Sequence, residues 1–116
     1  MNLHFTKAQH LLTQADFDRV YAYEAFAADG VLVVKVAAGT SDVTRLGLSV
    51  SRKVGNAVVR NRWKRLMREA FRLSQYDLPA RLDIVIRPKA GAVPEALAVQ
   101  NSLPALVRRA ARKVRR

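Results

Sequence analysis

The segment 51–72 combines a dense run of positive charge with apolar side chains at regular spacing. The apolar residues recur every three or four positions, at Val59, Trp63, Leu66, Met67 and Ala70. This spacing predicts an amphipathic helix over about 57–74, capped by Asn56, with Phe71 at the margin of its apolar stripe. Because cations cover the remaining helical surface, the segment must pack into a core and present positive charge at the same time. A disordered basic tail would not need the apolar stripe.

The chain as a whole carries 21 Lys and Arg residues against 9 Asp and Glu residues, which gives a formal net charge of +12 at pH 7. Such an excess indicates a polyanionic partner, which could be RNA, DNA or an anionic membrane surface. With 116 residues, half of them apolar, the sequence predicts a single domain, 1–116, with one modest core. Within it, 1–12 form an N-terminal arm without clear periodicity, and 108–116 form a basic C-terminal end.

The remaining patterns predict an α+β fold with the element order α-β-β-β-α-β-α. Capping-box spacing at Thr13 begins the first helix, and β-branched or alternating residues indicate four strands. Together with the basic helix, the predicted elements cover about 14–22, 23–27, 31–36, 46–51, 57–74 and 82–87. A helical region follows from Pro94. In that region Pro104 allows either one kinked helix or a helix that starts near Ser102, and the second alternative is preferred.

The strand patterns also suggest how the sheet is arranged. The first three strands are expected to form an antiparallel meander, with a tight primed turn at Asp29-Gly30 because glycine tolerates a positive φ. The unbroken apolar run Ile84-Val85-Ile86 predicts a fourth strand buried on both faces, and therefore a central position in the sheet.

The sequence contains no recognisable arrangement of catalytic residues. His4 and His10 have no carboxylate at a spacing that marks a dyad, the acidic residues are scattered, and no glycine-rich phosphate loop occurs. The absence of cysteine excludes disulfides and thiolate chemistry and suits a reducing cytosol. No apolar signal region or bilayer-spanning run is present, so a cytoplasmic protein is expected. The sequence therefore predicts no catalytic and no metal-binding residue, and it does not favour a self-sufficient enzyme.

Phe17 and Tyr21 are a second feature of interest. They lie four positions apart on the first predicted helix, where a pair of aromatic residues usually belongs to the core. The alternative is an exposed platform for single-stranded bases, a contact worth roughly 1–3 kcal/mol per stacked base. From the residues alone the core is preferred and the platform stays open.

The stretch 48–72 contains the motif Arg60-Asn61-Arg62, surrounded by Lys53, Gly55, Asn56, Ala57, Val58, Lys64, Arg65 and Arg68. In this motif and its surroundings the chain resembles the protein subunit of bacterial ribonuclease P, whose signature is Arg-Asn-Arg. The resemblance extends upstream to 15–21 and downstream to 83–86, so it covers most of the chain.

The resemblance implies a sandwich of α-β-β-β-α-β-α order, like the second domain of the fifth small-subunit ribosomal protein, with a left-handed β-α-β crossover around the basic helix. It also implies that a catalytic RNA subunit with bound Mg²⁺ hydrolyses precursor tRNA, while the protein binds that RNA and the 5′ leader. The implied contacts to the RNA subunit are Arg52, Lys53, Asn56, Arg60, Asn61, Arg62, Lys64, Arg65 and Arg68. The implied leader contacts are Phe17 and Tyr21, in a cleft between the first helix and the sheet. The expected partners are the catalytic RNA and precursor tRNA, with no membrane and no stable protein partner.

Three positions depart from the family pattern. His10 stands where arginine is usual, and Thr6 replaces a frequent proline. Val34 occupies a strand position that is aromatic in some members and faces the leader there. Phe26 is a candidate substitute for that aromatic residue.

Three other classes of function share the charge pattern. A general RNA-binding or ribosomal protein of the same fold would bind precursor and mature tRNA equally. A DNA-binding module could place the basic helix in a major groove, but nothing marks a dimer or a helix-turn-helix partner. A membrane-surface protein is least favoured, because the apolar stripe is needed for the core.

Overall fold

The computed structural model describes residues 13–114, which form three α-helices, four β-strands and two short 3₁₀ turns. The helices and strands are α1 (Gln14–Ala22), β1 (Ala25–Ala28), β2 (Leu32–Ala38), β3 (Arg45–Leu48), α2 (Ala57–Ser74), β4 (Leu82–Pro88) and α3 (Ala96–Ala111). This order confirms the predicted α+β fold, and the bounds of α1 and α2 agree with the sequence patterns. The expectations for the arm 1–12, including His10 and Thr6, lie outside the described residues, as do 115–116 of the basic C-terminal end.

The four strands form one sheet in the order β1-β2-β4-β3. The β1–β2 and β2–β4 pairs are antiparallel, whereas β3 runs parallel to β4, with Leu46 opposite Ile84. The predicted meander of three strands is therefore wrong, because β4 lies between β2 and β3. Alternation identifies β3 as a strand but not its neighbour, and the apolar run of β4 takes the central place as predicted. The α2 helix connects β3 to β4, and the left-handed sense of this crossover stays a prediction.

The main core lies on one face of the sheet, which we call the inner face. It is covered by α2 and α3, and it includes Trp63 of α2, Leu103 and Val107 of α3 and Ile84 of β4. Phe71 is also fully buried there rather than marginal, because α3 packs against α2 and widens its buried stripe. Full burial of each of these side chains stabilises the fold by roughly 1.5–3 kcal/mol.

The α1 helix lies on the opposite face of the sheet, which we call the outer face. A small apolar cluster of Val20, Ala37 and Val85 holds it there, with Phe17 and Tyr23 packed at the edges of the cluster. Since successive strand residues point to opposite faces, these strand residues are separate from the inner core. At 1.5 Å per residue, a helix this short spans only about 14 Å and leaves part of the outer face uncovered.

The turn between β1 and β2 is built by Asp29 rather than by Gly30. The Asp29 carboxylate accepts hydrogen bonds from the N–H groups of Val31 at 2.8 Å and Leu32 at 3.0 Å. Gly30 does not adopt a positive φ, so the predicted primed turn is wrong. The physical reason is that an aspartate side chain can replace a backbone group in closing a turn.

The α3 helix begins at Ala96, capped by the carboxylate of Glu95. The preferred prediction of a start near Ser102 is therefore wrong, and Pro104 lies inside the helix, where its missing N–H removes one backbone hydrogen bond. Burial of the preceding turn against the inner core outweighs this loss. Ser102 is buried and donates its hydroxyl hydrogen to the Asp29 carboxylate, which ties α3 to the β1–β2 turn.

Candidate nucleic-acid interface

The start of α2 is fixed by the residues immediately before it. The Asn56 side-chain oxygen accepts a hydrogen bond from the N–H of Val59 at 3.0 Å, as predicted for the capping residue. Gly55 lies so close to Val59 that a Cβ at position 55 would meet its side chain at 3.0 Å. Arg60 Nε donates to the Gly55 carbonyl at 3.2 Å. The first basic residue of the signature is thus held against the turn that precedes the helix.

The residues predicted to bind the RNA subunit lie together on the solvent side of α2 and on the turn before it. Arg60 and Lys64 are half-buried, and the exposed members are Arg52, Lys53, Asn56, Asn61, Arg62, Arg65 and Arg68. We call these nine residues the α2 cationic surface. Across residues 13–114, none of its cations forms an ion pair with an acidic side chain. Seven positive charges, five of them on exposed side chains, therefore have no acidic partner in this part of the chain.

Arg72, one turn beyond this surface, behaves differently. Its guanidinium donates to the Glu69 carboxylate at 2.5 and 3.0 Å. These hydrogen bonds lower the pKa of Glu69, so the pair stays ionised and its charges cancel locally. The unpaired positive charge on α2 therefore ends near Arg68.

A group of charged residues holds α1 on the outer face. Asp83 of β4 is fully buried, and its carboxylate accepts hydrogen bonds from Arg45 at 2.7 and 2.9 Å and from Arg19. Arg45 also donates to Asp16 at 3.2 Å, and Arg19 donates to the Ala38 carbonyl at 2.8 Å. We call Asp16, Arg19, Arg45 and Asp83 the Asp83 cluster. Through it, two residues of α1 are bound to the sheet.

Two members of the Asp83 cluster, Arg45 and Asp16, have pKa values shifted from their ordinary ones. Hydrogen bonds to Asp83 raise the pKa of Arg45 above its already high ordinary value. The hydrogen bond from the Thr13 hydroxyl and the nearby Arg45 guanidinium lower the pKa of Asp16 below its ordinary 3.8, against the opposing effect of partial burial. Both groups are therefore charged at neutral pH, and the contact that anchors α1 is ionic there.

Phe17 and Tyr21 lie side by side on α1, with ring centroids 6.4 Å apart. Phe17 is half-buried against the apolar cluster beneath α1, whereas the Tyr21 side chain is 38% exposed. The Lys35 ammonium lies 5.4 Å from the centroid of the Tyr21 ring. The core interpretation therefore describes Phe17, which packs on the sheet. The exposed-platform interpretation describes Tyr21, whose ring faces solvent beside a cation.

A row of paired residues crosses the outer face next to α1. Phe26, Lys35, Val85 and Gly47 lie opposite one another on β1, β2, β4 and β3, and so share this face. Val34 is fully buried in the inner core, so the expectation that its position faces the leader is wrong. The strand pleat is the reason, since it turns neighbouring residues to opposite faces. Phe26, the candidate substitute for an aromatic residue at position 34, does lie on the outer face beside Lys35.

A crevice of about 410 Å³ lies where β3 and β4 end. Its lining includes Ser49, Ser51 and the three cations Lys53, Arg87 and Lys89, and no acidic residue contributes to it. The sequence patterns did not single out Arg87 or Lys89, although a basic residue at the end of a buried strand is a usable signal. Because Lys53 also belongs to the α2 cationic surface, the crevice joins that surface to the outer face.

The acidic side chains are not arranged for a metal ion. Among residues 13–114, no group of three or more His, Asp or Glu side chains is placed to hold one. Asp16, Asp83 and Glu69 are engaged by arginines, and Asp29 by backbone N–H groups. The described residues therefore do not fit a resident Mg²⁺ site. In the same part of the chain, no helix has both the length and the apolar character that crossing a membrane requires.

These features define a class of protein: a small, basic α+β domain with a helix whose cations up to Arg68 have no acidic partner among the described residues. The other face of its sheet carries the aromatic side chains of Phe17, Tyr21 and Phe26. A family model described as Ribonuclease P matches residues 5–111. The chain belongs to the ribonuclease P protein family.

Individual relatives agree with this assignment. The chain is 39% identical over 97 residues to the ribonuclease P protein component of Staphylococcus haemolyticus, covering 84% of this chain and 85% of that protein. It is 39% identical over 108 residues to that of Maridesulfovibrio salexigens, covering 88% and 87%. A shorter alignment with that of Oleidesulfovibrio alaskensis reaches 53% identity over 70 residues, but spans only 57% of this chain and 56% of the relative.

Solved structures show the same fold. The RNase P protein of Staphylococcus aureus superimposes with a TM-score of 0.77 at 35% identity, covering 88% of this chain and 94% of that one. The RNase P protein of Thermotoga maritima gives a TM-score of 0.77 at 30% identity, covering 86% and 96%.

Proposed function

We propose that this chain is the protein subunit of a ribonuclease P ribonucleoprotein, which removes the 5′ leader of precursor tRNA by endonucleolytic cleavage. Its partners are a catalytic RNA and precursor tRNA, and the cytoplasm is where a bacterial enzyme meets new tRNA. The RNA carries the chemistry and holds most of the Mg²⁺, which is consistent with acidic side chains that are occupied by arginines and backbone groups. The protein alone is not catalytic.

The observation that carries this proposal is the α2 cationic surface in a chain of this family. Its arginines present planar donor groups that suit phosphate oxygens, and no acidic side chain of the described residues competes for them. Helix faces that only meet solvent usually mix charges of both signs, because like charges at i, i+4 destabilise the free helix. We infer that this surface binds the RNA subunit.

The leader is assigned to a separate surface, which we call the outer groove: Phe17, Tyr21, Lys35 and Arg87. Its rings offer faces on which unpaired bases can stack, and its cations can accompany the backbone phosphates. The crevice at Lys53 connects the outer groove with the α2 cationic surface. A leader that leaves the catalytic RNA at α2 can therefore pass directly onto the sheet.

Reconstitution tests the division of labour between RNA and protein. The purified protein should leave precursor tRNA uncut. Addition of a bacterial ribonuclease P RNA at low Mg²⁺ should then give cleavage at the mature 5′ end, faster than with the RNA alone. Cleavage by the protein without RNA would disprove this assignment.

Substitution of Tyr21 tests the outer groove. The Tyr21→Ala holoenzyme should bind precursor tRNA roughly 5- to 150-fold more weakly, the equivalent of one lost stacking contact. Its affinity for mature tRNA should not change, because mature tRNA has no leader. Tyr76→Ala is the matched control, since Tyr76 is an exposed tyrosine just beyond the far end of α2. Equal losses for precursor and mature tRNA would instead favour a general RNA-binding protein.

A further inference from the structure

Phe26 is an aromatic residue on β1, at the edge of the sheet, and lies outside the core formed by residues 13–114. Its neighbours Ala25 and Ala27 point into the inner core, whereas the Phe26 side chain points outward and is 49% exposed. No apolar cluster of the described residues includes it. Because half of this residue is exposed, its ring contributes little apolar burial to the stability of the fold. Its contacts at the surface therefore indicate what else the ring could do.

Two lysines lie beside the Phe26 side chain. Lys35 is its cross-strand partner on β2 and also lies over the Tyr21 ring. Lys113, just beyond the end of α3, lies with its ammonium 5.3 Å from the centroid of the Phe26 ring and donates a hydrogen bond to the Phe26 carbonyl at 2.7 Å. Because α3 packs on the inner face, Lys113 reaches around the edge of the sheet to make this contact. Rings and cations therefore alternate in the order Tyr21, Lys35, Phe26 and Lys113.

The charges of this row are available to a ligand. Neither Lys35 nor Lys113 forms an ion pair with an acidic side chain anywhere in residues 13–114. Glu24 lines the same shallow depression as Lys113, but no salt bridge joins them. Two exposed arginines in the last turn of α3, Arg108 and Arg109, add positive charge at this end of the molecule.

Alternating rings and cations match the chemistry of a single-stranded polynucleotide. Bases stack on aromatic faces, and the phosphates between them need positive charge. A duplex would keep its bases stacked on one another, and an acidic peptide would gain nothing from the rings. The row continues from Tyr21, so a strand that occupies the outer groove can extend along it without leaving the protein.

We propose that Phe26 and Lys113 form a second RNA subsite, which binds leader nucleotides farther from the cleavage site than those at Phe17 and Tyr21. This inference rests on the proposed function. The opposite end of the outer groove adjoins Lys53 and the α2 cationic surface, where the catalytic RNA binds. Nucleotides next to the scissile bond therefore enter at Lys53, and upstream nucleotides reach Phe26 only after they have passed Tyr21.

A series of leader lengths tests this order. Holoenzyme reconstituted with Phe26→Ala is compared with the unsubstituted holoenzyme for binding to precursor tRNAs whose leaders grow one nucleotide at a time. Short leaders should bind equally well to both. Beyond a threshold length, affinity should keep rising for the unsubstituted protein but stay level for Phe26→Ala, with a deficit of at least about 5-fold, one stacking contact. Phe26→Tyr should restore the gain.

Lys113→Gln and Leu97→Ala complete the experiment. Lys113→Gln should reduce the salt dependence of binding by about one phosphate contact, and only for long leaders. Leu97→Ala should change nothing at any length, because this exposed residue lies in the first turn of α3, far from Lys113. All variants should keep the thermal stability of the original protein, since each changed side chain is exposed.

The outcomes separate this inference from the function on which it rests. If Phe26→Ala has the same effect at every leader length, or none, while Tyr21→Ala still weakens precursor binding selectively, the second subsite is disproved and the proposed function stands. If Tyr21→Ala also weakens binding of precursor and mature tRNA equally, the second subsite and the leader-binding part of the proposed function are both disproved, while the reconstitution result still decides the subunit role.

Discussion

The α2 cationic surface and the outer groove are attached to the same sheet in different ways. The α2 helix is anchored by large side chains such as Trp63 and Phe71, which are fully buried on the inner face. The α1 helix, which carries Phe17 and Tyr21, is held by a small apolar cluster in which its own Val20 packs on Ala37 and Val85, and by the Asp83 cluster. The α2 cationic surface is therefore carried by a large buried core, whereas α1 depends more on ionic contacts.

This difference has a functional meaning under the proposed division of labour. Burial of apolar area involves no titrating group and no charge pair, so the anchoring of α2 should depend on pH and ionic strength less than the Asp83 cluster does. A buried carboxylate that binds two arginines is stable only while all partners are present, because a lone buried charge is costly. Single substitutions should therefore separate the two surfaces.

The largest expected effect comes from Asp83→Asn, which removes the centre of the Asp83 cluster. Loss of the buried charge leaves Arg19 and Arg45 without their main partner and should cost about 3 kcal/mol of folding stability, near the lower end of the usual range because both arginines reach solvent. Hydrogen exchange should show that α1 amides lose protection while α2 amides keep theirs. Affinity for precursor tRNA should fall more than affinity for the RNA subunit.

Asp42→Asn is the control for that substitution. Asp42 also pairs with an arginine, Arg81, at 3.3 Å, but the two side chains are 91% and 72% exposed. Such a pair contributes little, so neither stability nor precursor binding should change measurably. If Asp83→Asn loosened α1 and α2 to the same degree, the two surfaces would not be independently anchored.

Arg65→Ala on the α2 cationic surface should have a smaller effect, and it should change RNA binding without changing folding stability. The exposed Arg65 side chain has no acidic partner among the described residues, so its loss should leave folding stability unchanged. The slope of log affinity for the RNA subunit against log salt should become shallower by roughly 0.7–0.9, the value for one phosphate contact. The preference for precursor over mature tRNA should stay the same.

Arg72→Ala provides the comparison on the same helix. Because Glu69 already neutralises Arg72, this substitution should change the salt slope less than Arg65→Ala does. Equal changes in the two variants would mean that pairing within α2 does not decide which arginines bind RNA.

The smallest expected effect is the loss of folding stability at low pH. Since the folded pKa of Asp16 lies below its ordinary 3.8, the unfolded chain binds more protons in this range. The stabilisation from Asp16 is therefore complete above that ordinary value and is lost as pH falls through the folded pKa. In an acid titration, NMR signals of α1 should shift before the fluorescence of Trp63, which reports on the inner core. Asp16→Asn should reduce this early step, and a single concerted transition would contradict it.

The sequence predicted the α2 helix and its cap well because all the information for them is local. The apolar spacing, the Asn56 cap and the run of arginines lie within one segment, and a helix places them without help from the rest of the chain. The structure adds that Phe71 is fully buried, which depends on where α3 packs. It also adds that Arg72 is paired with Glu69.

The outer groove was less predictable because distant residues build it. Asp83 and Arg19 are separated by 64 positions, and nothing near either residue indicates the other. In β2 the residues of both faces are apolar except Lys35, so alternation could not show that Val34 points inward. The pairing of β3 with β4 could not be predicted either, because strands that are far apart in sequence leave no local pattern that identifies them as partners.

That position of β3 has a consequence for the order of events during synthesis. β3 is made before α2, yet its partner β4 is made after it, so Leu46 can meet Ile84 only when the whole helix has left the ribosome. Closing such a long loop is a slow, non-local step in folding. Until then the nascent chain displays a cationic helix beside an unfinished sheet. The α2 cationic surface is therefore available before β3 has paired with β4.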